Sequence, residues 1–276
     1  MGKILIYRRG GLGDTLLTFP VVELLNKKGF SVHYVGNTDY LKLLNKVGWV
    51  EKIYSELPFN LDIYRSVVLF SKENFLNTPK VRLVNPFPPK GTHALEHYLR
   101  ELNLTGSFSR VFPLKGSNQW NGKVILHPGS GSPKKNAPLE LFIELYFQLK
   151  DLKLNPLFVL GEAEENLLEV LKDFSTYRVN DILKFAELLK GSKAFVGNDS
   201  GFTHLASYLG VPTVALFGPT DPAEWGPIGF KTAVIYKHFS CSPCFPKVCS
   251  ANIEKECLKV IKAEEVLTAL EKLLSN

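Results

Sequence analysis

Short apolar runs alternate along the chain with longer segments in which apolar residues recur every three or four positions, as on one face of a helix. The runs are rich in Val, Ile and Phe, and most end at glycine, proline or polar residues. This alternation predicts parallel β-strands joined by crossover helices. The predicted strands are KILIY, SVHYV, SVVLF and KVRLV in the first half, and KVILHP, PLFVL, KAFVGN and TVALFG in the second.

The strand pattern restarts near the middle of the chain, which predicts two domains. Residues 107–123 are polar, contain glycine and lack a clear period. We therefore predict domains over residues 1–118 and 119–262, with a closing helix over residues 263–276. The expected fold class is α/β, with two Rossmann-like doubly wound domains facing each other across a cleft and ligands bound by the loops after strands.

Composition and charge indicate where the protein is found and what kind of partner it binds. No apolar run approaches the roughly 18 residues of a membrane span, and the first apolar run is too short for a secretory signal, so a cytoplasmic protein is expected. The net charge is +6, and residues 1–118 carry 16 Lys and Arg against 9 Asp and Glu. This bias favours an anionic partner, whether phosphorylated substrate, lipid surface or nucleic acid, or it serves solubility alone.

The loop after the first predicted strand, RRGGLGDTLLTFP, is rich in glycine. Gly10, Gly11 and Gly13 precede a helix, and Asp14 stands at or near its start. Glycines in such a loop let backbone N–H groups approach a ligand closely. The spacing does not match the dinucleotide fingerprint G-x-G-x-x-G. From spacing alone, Asp14 is either a functional carboxylate or a helix N-cap.

The loop after the fifth predicted strand, HPGSGSPKKNAPLE, combines small residues with two lysines. Ser130 and Gly131 precede Lys134 and Lys135 at the entry to a helix. Exposed amides and ammonium groups at a helix entry suit a phosphate. The spacing is not that of a P-loop, and a surface turn with solvated lysines is the alternative interpretation.

The third unusual loop, GNDSGFTHLA, contains an Asp, a Ser and a His. Ser200 and His204 lie four residues apart on one predicted helix, with Cβ atoms about 5–6 Å apart, which is poor geometry for a nucleophile and its base. Asn198, Asp199 and Ser200 are instead typical of a helix N-terminus, and Gly201 leaves its amides open to a ligand. No D-x-D motif occurs in the chain, so these loops predict phosphate binding without a metal ion.

These three loops together resemble glycosyltransferase family 9, the ADP-heptose:lipopolysaccharide heptosyltransferases. The matching text is GGLGDTLLTFP, HPGS with KKNAP, and VGNDSGFTHLASYLGVPTVALFGPTDPAEWGP. The resemblance implies a GT-B fold and an inverting, metal-independent enzyme of lipopolysaccharide biosynthesis without a required cofactor. It also implies heptose transfer from ADP-heptose to the anionic lipopolysaccharide inner core at the cytoplasmic face of the inner membrane, with peripheral membrane contact and no nucleic acid.

The resemblance also implies roles for particular residues. Asp14 is similar to the family's catalytic base, and the remaining matches are to donor-binding positions. Lys135 would offset the negative charge on the departing ADP, and Glu165 would bind the ribose. The predicted donor-binding residues are Ser130, Gly131, Lys135, Glu165, Asp199, Ser200, Gly201 and His204.

Two other function classes remain open from the residues. A GT-B transferase or epimerase that acts on a different nucleotide sugar would use the same phosphate-binding loops. A nucleic-acid-binding protein would use the basic first half together with the cysteines, although no recognition helix or RNA-binding motif is evident.

All four cysteines fall within residues 241–257, with the spacing C-x2-C-x4-C-x7-C. In a cytosolic protein this spacing is typical of a structural zinc ion or an iron–sulfur cluster. Reduced or partly disulfide-bonded structural cysteines are the alternative. The residues concerned are Cys241, Cys244, Cys249 and Cys257.

Overall fold

The chain forms two compact units, Met1–Ser109 and Arg110–Asn276, in a computed structural model that describes residues 2–244 and 256–275. The division follows Ser109, whereas the boundary predicted from the sequence follows residue 118. Residues 110–117 belong to the second unit because Phe112 N donates to Tyr208 O at 2.6 Å and Ser117 N donates to Glu187 O at 2.7 Å.

The N-terminal unit is a five-stranded parallel sheet of order β3-β2-β1-β4-β5. Its strands are β1 (Lys3–Tyr7), β2 (Ser31–Val35), β3 (Lys52–Tyr54), β4 (Tyr64–Phe70) and β5 (Val81–Val84). Its helices are α1 (Leu12–Leu16), α2 (Phe19–Lys27), α3 (Thr38–Lys46) and α4 (Ala94–Glu101).

Two crossovers of the N-terminal unit contain no helix in residues 2–109, all of which the structure describes. The segments 55–63 and 71–80 connect β3 to β4 and β4 to β5. Leu57, Leu61 and Leu76 from these segments pack on a small core cluster. Loops therefore cover part of this sheet, where a doubly wound domain ordinarily has helices.

The C-terminal unit is a six-stranded parallel sheet of order β11-β10-β9-β6-β7-β8. Its strands are β6 (Lys123–His127), β7 (Asn155–Leu160), β8 (Thr176–Arg178), β9 (Ala194–Asn198), β10 (Thr213–Phe217) and β11 (Thr232–Tyr236). Its helices are α5 (Leu139–Asp151), α6 (Ile182–Lys190), α7 (Gly201–Tyr208), α8 (Pro222–Trp225), α9 (Glu256–Lys259) and α10 (Ala263–Ser275). Short 3₁₀ helices span Asn118–Trp120, Pro133–Lys135 and Glu162–Leu167.

Each sheet has one point at which the strand order reverses. In the N-terminal unit this switch lies between β1 and β4, and in the C-terminal unit it lies between β6 and β9. Loops that leave adjacent strands at a switch point run in opposite directions and leave a crevice between them, which is where α/β proteins bind ligands. The topology therefore directs attention to the loops after β1, β6 and β9.

Helices α5 and α10 pack side by side against the C-terminal sheet and close its core. Phe142 and Leu145 of α5 share one buried cluster with Val266 and Leu270 of α10. Each of these helices has 13 residues, which is about 20 Å of helix and short of a bilayer's hydrocarbon thickness. Within residues 2–244 and 256–275, none of the helices is long and apolar enough to span a membrane.

Two phenylalanines on α5 allow a matched test of this packing. Phe142 is fully buried, whereas the side chain of Phe147 is 55% exposed. We expect Phe142→Ala to lower the free energy of unfolding by about 3–5 kcal/mol, because the buried ring leaves a cavity. Phe147→Ala should lower it by less than about 1 kcal/mol. Urea unfolding of both variants checks this, and equal losses would contradict it.

Candidate functional site

The switch point of the C-terminal sheet brings together two of the polar loops identified in the sequence. Strand β6 ends at His127 and β9 ends at Asn198, and His127 pairs with Gly197 across the two strands. The segment 128–138 follows β6, and residues 199–200 lead from β9 into α7. Seven of the eight predicted donor-binding residues, all but Glu165, therefore come from this one edge of the sheet.

Asn198 fastens the segment 128–138 to the end of β9. Its fully buried side chain donates from Nδ2 to the Pro128 carbonyl oxygen at 2.8 Å and accepts at Oδ1 from Ala137 N at 2.9 Å. An amide is suited to this position because it offers both a donor and an acceptor. The sequence pattern placed Asn198 at a helix N-terminus. In the structure, its side chain instead forms hydrogen bonds with the backbone of the neighbouring segment 128–138.

Lys135 and Asp199 form a largely buried ion pair between the two loops. Lys135 Nζ lies 2.8 Å from Asp199 Oδ2, and the Asp199 side chain is only 5% exposed. Thr220 donates its hydroxyl to the same oxygen at 2.6 Å, and His204 Nε2 lies 3.8 Å from Oδ1. Asp199 thus fixes the position of an ammonium group that remains one-fifth exposed to solvent.

The surroundings of Asp199 favour its ionised form. Burial alone would raise the pKa of this carboxyl, but the hydrogen bond with His204 and the charge of Lys135 outweigh burial and lower the pKa to about 2. The carboxylate is therefore charged at neutral pH. A phosphate at this edge would meet the ammonium group of Lys135 rather than the anion, because the oxygens of Asp199 already have partners within the protein.

Ser200 caps α7 and directs its hydroxyl into the protein. Its Oγ accepts from Thr203 N at 3.3 Å and lies 3.3 Å from His127 Nδ1. Gly201 is the first residue of the helix, and residues 201 and 202 are half-buried. The free amides of the first helical turn are the groups that this end of α7 offers to an anion.

The segment after β6 is shaped by its own hydrogen bonds. The Ser130 hydroxyl is buried and lies 2.6 Å from Asn136 Oδ1 and 2.7 Å from Ser132 O. Gly131 is exposed, and a side chain there would meet open space. The side chain of Ser130 therefore holds the loop, while Gly131 leaves the backbone accessible.

Glu165 lies at the protein surface, whereas its neighbour Glu164 is buried. Glu165 pairs with Arg178 on β8. Glu164 accepts from Gly161 N at 2.8 Å, and its Oε2 lies 3.5 Å from His127 Nε2. Glu164 could not be distinguished from its neighbours in the sequence, because GEAEEN gives no periodicity that shows which carboxylate turns inward. The ribose-binding role of Glu165 stays a prediction.

Asp14 is at the third position of α1 in the N-terminal unit, just after the switch-point strand β1. Gly11 N donates to its Oδ2 at 3.0 Å, and Arg8 Nη2 donates to its Oδ1 at 2.7 Å. The Asp14 side chain is 37% exposed. The carboxylate is therefore held on the protein side through both oxygens and is open to solvent on the other side.

Arg8 is a residue that the sequence analysis missed. Its side chain is only 7% exposed, and its backbone N–H donates to Val35 O at 3.0 Å. Burial raises the pKa of Tyr98 to about 12, and the charge of Arg8 opposes that rise. Two adjacent arginines at the end of β1 gave no indication that one of them is buried beside Asp14.

The geometry and the sequence agree with one known family. The model of glycosyltransferase family 9 (heptosyltransferase) matches residues 104–254, which is more than half of the chain. The protein belongs to glycosyltransferase family 9. The matched part includes the segment 128–138, the loop after β9 and helix α7.

Curated relatives of this family 9 protein include heptosyltransferases from two bacteria. It is 39% identical over 84 residues to lipopolysaccharide heptosyltransferase 1 of Pseudomonas aeruginosa, an alignment that covers 30% of this chain and 24% of the relative. It is 32% identical over 172 residues to lipooligosaccharide heptosyltransferase 2 of Campylobacter jejuni, covering 56% of this chain and 53% of the relative. The chain thus spans about half the length of the second relative and a quarter of the first.

Solved structures confirm the fold class. The structure of Escherichia coli ADP-heptose lps heptosyltransferase II superposes with a TM-score of 0.79 at 17% identity, covering 99% of this chain and 98% of that chain. At such low identity the similarity concerns the fold alone. The α/β fold with two parallel sheets, predicted from the alternation of strand and helix patterns, is confirmed, and so is the GT-B fold implied by the resemblance to family 9.

The cysteine cluster of this family 9 protein lies only partly within the described residues. Cys241 is half-buried, Cys244 N donates to Pro219 O at 2.8 Å, and Cys257 is buried at the start of α9. Cys249 lies outside the described residues. Within residues 2–244 and 256–275, no group of three or more His, Cys, Asp or Glu residues could hold a metal ion. The structural zinc site stays a prediction.

The depressed pKa of Asp199 predicts how stability depends on pH. Because the folded-state pKa lies near 2 rather than 3.8, the carboxylate stabilises the fold above about pH 4, and this contribution is lost as the pH falls through about 2. Asp199→Asn should cost about 2 kcal/mol at pH 7, and the difference from wild type should shrink between about pH 4 and pH 2. Urea unfolding at several pH values measures it.

Asp221→Asn is the matched control for this measurement. Asp221 caps α8 by accepting from Ala223 N at 2.9 Å, and Asn is an equally good cap. Its cost should stay within about 0.5 kcal/mol at every pH. If the cost of Asp199→Asn did not change with pH, the ion pair would not have the assigned effect.

Proposed function

We propose that this family 9 protein is an inverting glycosyltransferase that moves heptose from ADP-heptose to the inner core of lipopolysaccharide. Two named similarities support the proposal: the Campylobacter jejuni relative is a lipooligosaccharide heptosyltransferase, and the Escherichia coli structure is an ADP-heptose lps heptosyltransferase. The observation that carries it is the grouping of Lys135, Asp199 and His204 around the amino end of α7, inside the part of the chain that matches the family.

The C-terminal unit supplies the groups for the donor. The ammonium of Lys135, held by Asp199, offsets the charge that grows on the diphosphate as it leaves. Backbone amides at Gly131 and at the start of α7 donate to phosphate oxygens, and His204 donates beside them. Because an ammonium group and oriented amides neutralise the diphosphate, the proposed reaction needs no metal ion or other cofactor.

The N-terminal unit supplies the base. Asp14 takes the proton from the acceptor hydroxyl as that oxygen bonds to the anomeric carbon and the bond from this carbon to the diphosphate breaks, which inverts the anomeric centre. Arg8 and Gly11 N–H hold the two carboxylate oxygens in place, and each oxygen keeps a further lone pair for the incoming proton.

The charge of the N-terminal unit favours the proposed acceptor. Residues 1–109 contain 14 Lys and Arg against 9 Asp and Glu. A basic unit attracts the anionic inner core of lipopolysaccharide and the headgroups of the membrane that carries it. We propose that the protein acts at the cytoplasmic face of the inner membrane through peripheral contact.

The role of Asp14 is tested by a substitution that keeps its shape. Asp14→Asn retains an acceptor for Gly11 N–H but cannot take a proton at neutral pH. We expect kcat to fall by about 10²-fold or more, with the affinity for the donor nucleotide changed little. Steady-state kinetics and calorimetry separate the two quantities. Asp39→Asn, at an exposed position of the same unit, serves as the control. If kcat of Asp14→Asn stayed within a few-fold of wild type, Asp14 would not be the base.

The donor assignment is tested by nucleotide binding. Calorimetric titration should show that ADP binds more tightly than UDP, GDP or CDP, and Lys135→Met should raise the Kd for ADP by about tenfold because the fixed ammonium is lost. Lys134→Met is the matched control, since this neighbouring side chain is exposed, and its Kd should stay within about twofold of wild type.

Two results would change the donor assignment. A clear preference for another base would indicate a transferase or epimerase acting on a different nucleotide sugar. Equal effects of Lys134→Met and Lys135→Met would show that general positive charge, rather than the Lys135–Asp199 pair, binds the phosphates.

A further inference from the structure

The imidazole ring of His127 contacts two loops of the C-terminal unit. His127 is the last residue of β6, and its ring is buried. Its Nδ1 lies 3.3 Å from the hydroxyl of Ser200, which follows β9, and its Nε2 lies 3.5 Å from Oε2 of Glu164, which follows β7. One side chain at the end of β6 therefore contacts the loops after both neighbouring strands, β7 and β9.

Glu164 also contacts the backbone of the segment after β6. A Cβ atom at Gly129 would lie only 2.0 Å from Glu164 Oε1, so the carboxylate occupies the space in which any side chain at position 129 would begin. Gly161 N donates to the other oxygen, Oε2, at 2.8 Å. The Glu164 carboxylate is thus fixed between two loops and faces His127.

The partners of His127 determine where its proton lies. Burial alone would raise the pKa of Glu164, but His127 and Gly161 N–H outweigh burial, so the pKa is lowered and the carboxylate is ionised. An ionised carboxylate only accepts hydrogen bonds, so the proton of a neutral imidazole belongs on Nε2, facing Glu164. Nδ1 is then an acceptor and lies 3.3 Å from the Ser200 hydroxyl. Within the described residues, Nε2 has no closer partner than Glu164.

This proton arrangement orients the cap of α7. The Ser200 hydroxyl has two side-chain acceptors, His127 Nδ1 at 3.3 Å and Thr203 Oγ1 at 3.1 Å, and its oxygen accepts from Thr203 N at 3.3 Å. The Thr203 hydroxyl donates its own proton to Asn198 O, so its oxygen contacts Ser200 Oγ as an acceptor, and His127 and Thr203 hold the cap together. The cap is held in one orientation, and the amides of the first turn of α7 keep a fixed direction.

We propose that His127, itself held by Glu164, is a positioning residue for nucleoside diphosphate binding: it fixes the Ser200 cap and thereby aligns the first-turn amides of α7 with the segment after β6. The inference rests on the proposed function, because it assumes that these amides bind the donor's diphosphate. His127 and Glu164 do not themselves contact the donor. Their substitution therefore changes donor affinity and leaves the chemical step nearly unaffected.

A double-mutant cycle tests this coupling. The variants are His127→Gln, Ser200→Ala and the double substitution, and the ligand is whichever of ADP, UDP, GDP and CDP wild type binds most tightly. We expect each single substitution to raise Kd by about tenfold, and the double to raise it by no more than about twofold beyond the larger single effect. At saturating donor, kcat of His127→Gln should stay within about threefold of wild type.

A conservative variant and a matched control separate positioning from general packing. The amide of Asn reaches the position of Nδ1, so His127→Asn should recover Kd to within about threefold of wild type. His33 in the N-terminal unit has the same kind of surroundings: it is buried, its Nδ1 lies 2.9 Å from Tyr64 Oη, and its Nε2 lies 3.4 Å from Glu51 Oε2. His33→Gln should lower Tm without changing Kd by more than about twofold.

Several outcomes would overturn the inference. If the double substitution raised Kd by about a hundredfold, the two effects would be additive, and His127 would not act through Ser200. A Kd for His127→Gln within twofold of wild type would leave only a packing role. If His127→Gln does not fold, Glu164→Gln replaces it in the cycle. We then expect Kd to rise by about threefold, and the double substitution with Ser200→Ala should again be non-additive.

The result also distinguishes this inference from the proposed function. Tight binding of a nucleoside diphosphate together with an additive cycle would reject only the role of His127. A wild-type protein that binds none of the four nucleotides would reject both.

Discussion

The buried amide of Asn198 is the interaction on which the polar edge of the C-terminal sheet depends. It pairs with Pro128 O and Ala137 N, which are the two ends of the loop that carries Lys135. Buried backbone groups without partners cost about 1–3 kcal/mol each, so this loop has a strong preference for one conformation. A lysine side chain loses considerable rotamer entropy when it is fixed, and a loop already held in place lowers the remaining cost of the Lys135–Asp199 contact.

The polar side chains at this edge make their hydrogen bonds inward. Ser130 bonds within its own loop, Ser200 caps α7, and Asp199 is occupied by Lys135 and Thr220. The groups open to solvent therefore include the ammonium groups of Lys134 and Lys135 together with backbone N–H groups, which suits an anion and requires no rearrangement of the side chains that hold them. Residues that look like ligand contacts in the sequence act in large part as supports.

The sequence predicted the central strands and the polar loops that follow them. It did not predict which side chains are buried by tertiary contacts. The eight predicted strands are all present, but β3, β8 and β11 were missed, because their residues are only half-buried or exposed and so give a weak apolar signal. Asp14, Lys135 and Asp199 were identified from glycine spacing, charge and family resemblance. Arg8 and Glu164 were not, since a buried charge next to an exposed one of the same type has no local pattern.

The loops that cover one part of the N-terminal sheet can be lengthened by insertions at little cost in stability. Leu57, Leu61 and Leu76 pack the segments 55–63 and 71–80 on the core, and Phe59 in the first segment is fully exposed. Lengthening such a loop costs little, about 0.6 kcal/mol for each doubling of its length. Insertions there leave the pairing of β1 with β4 unchanged, so this unit is free to acquire new covering segments over evolutionary time while the loop that carries Asp14 stays where it is.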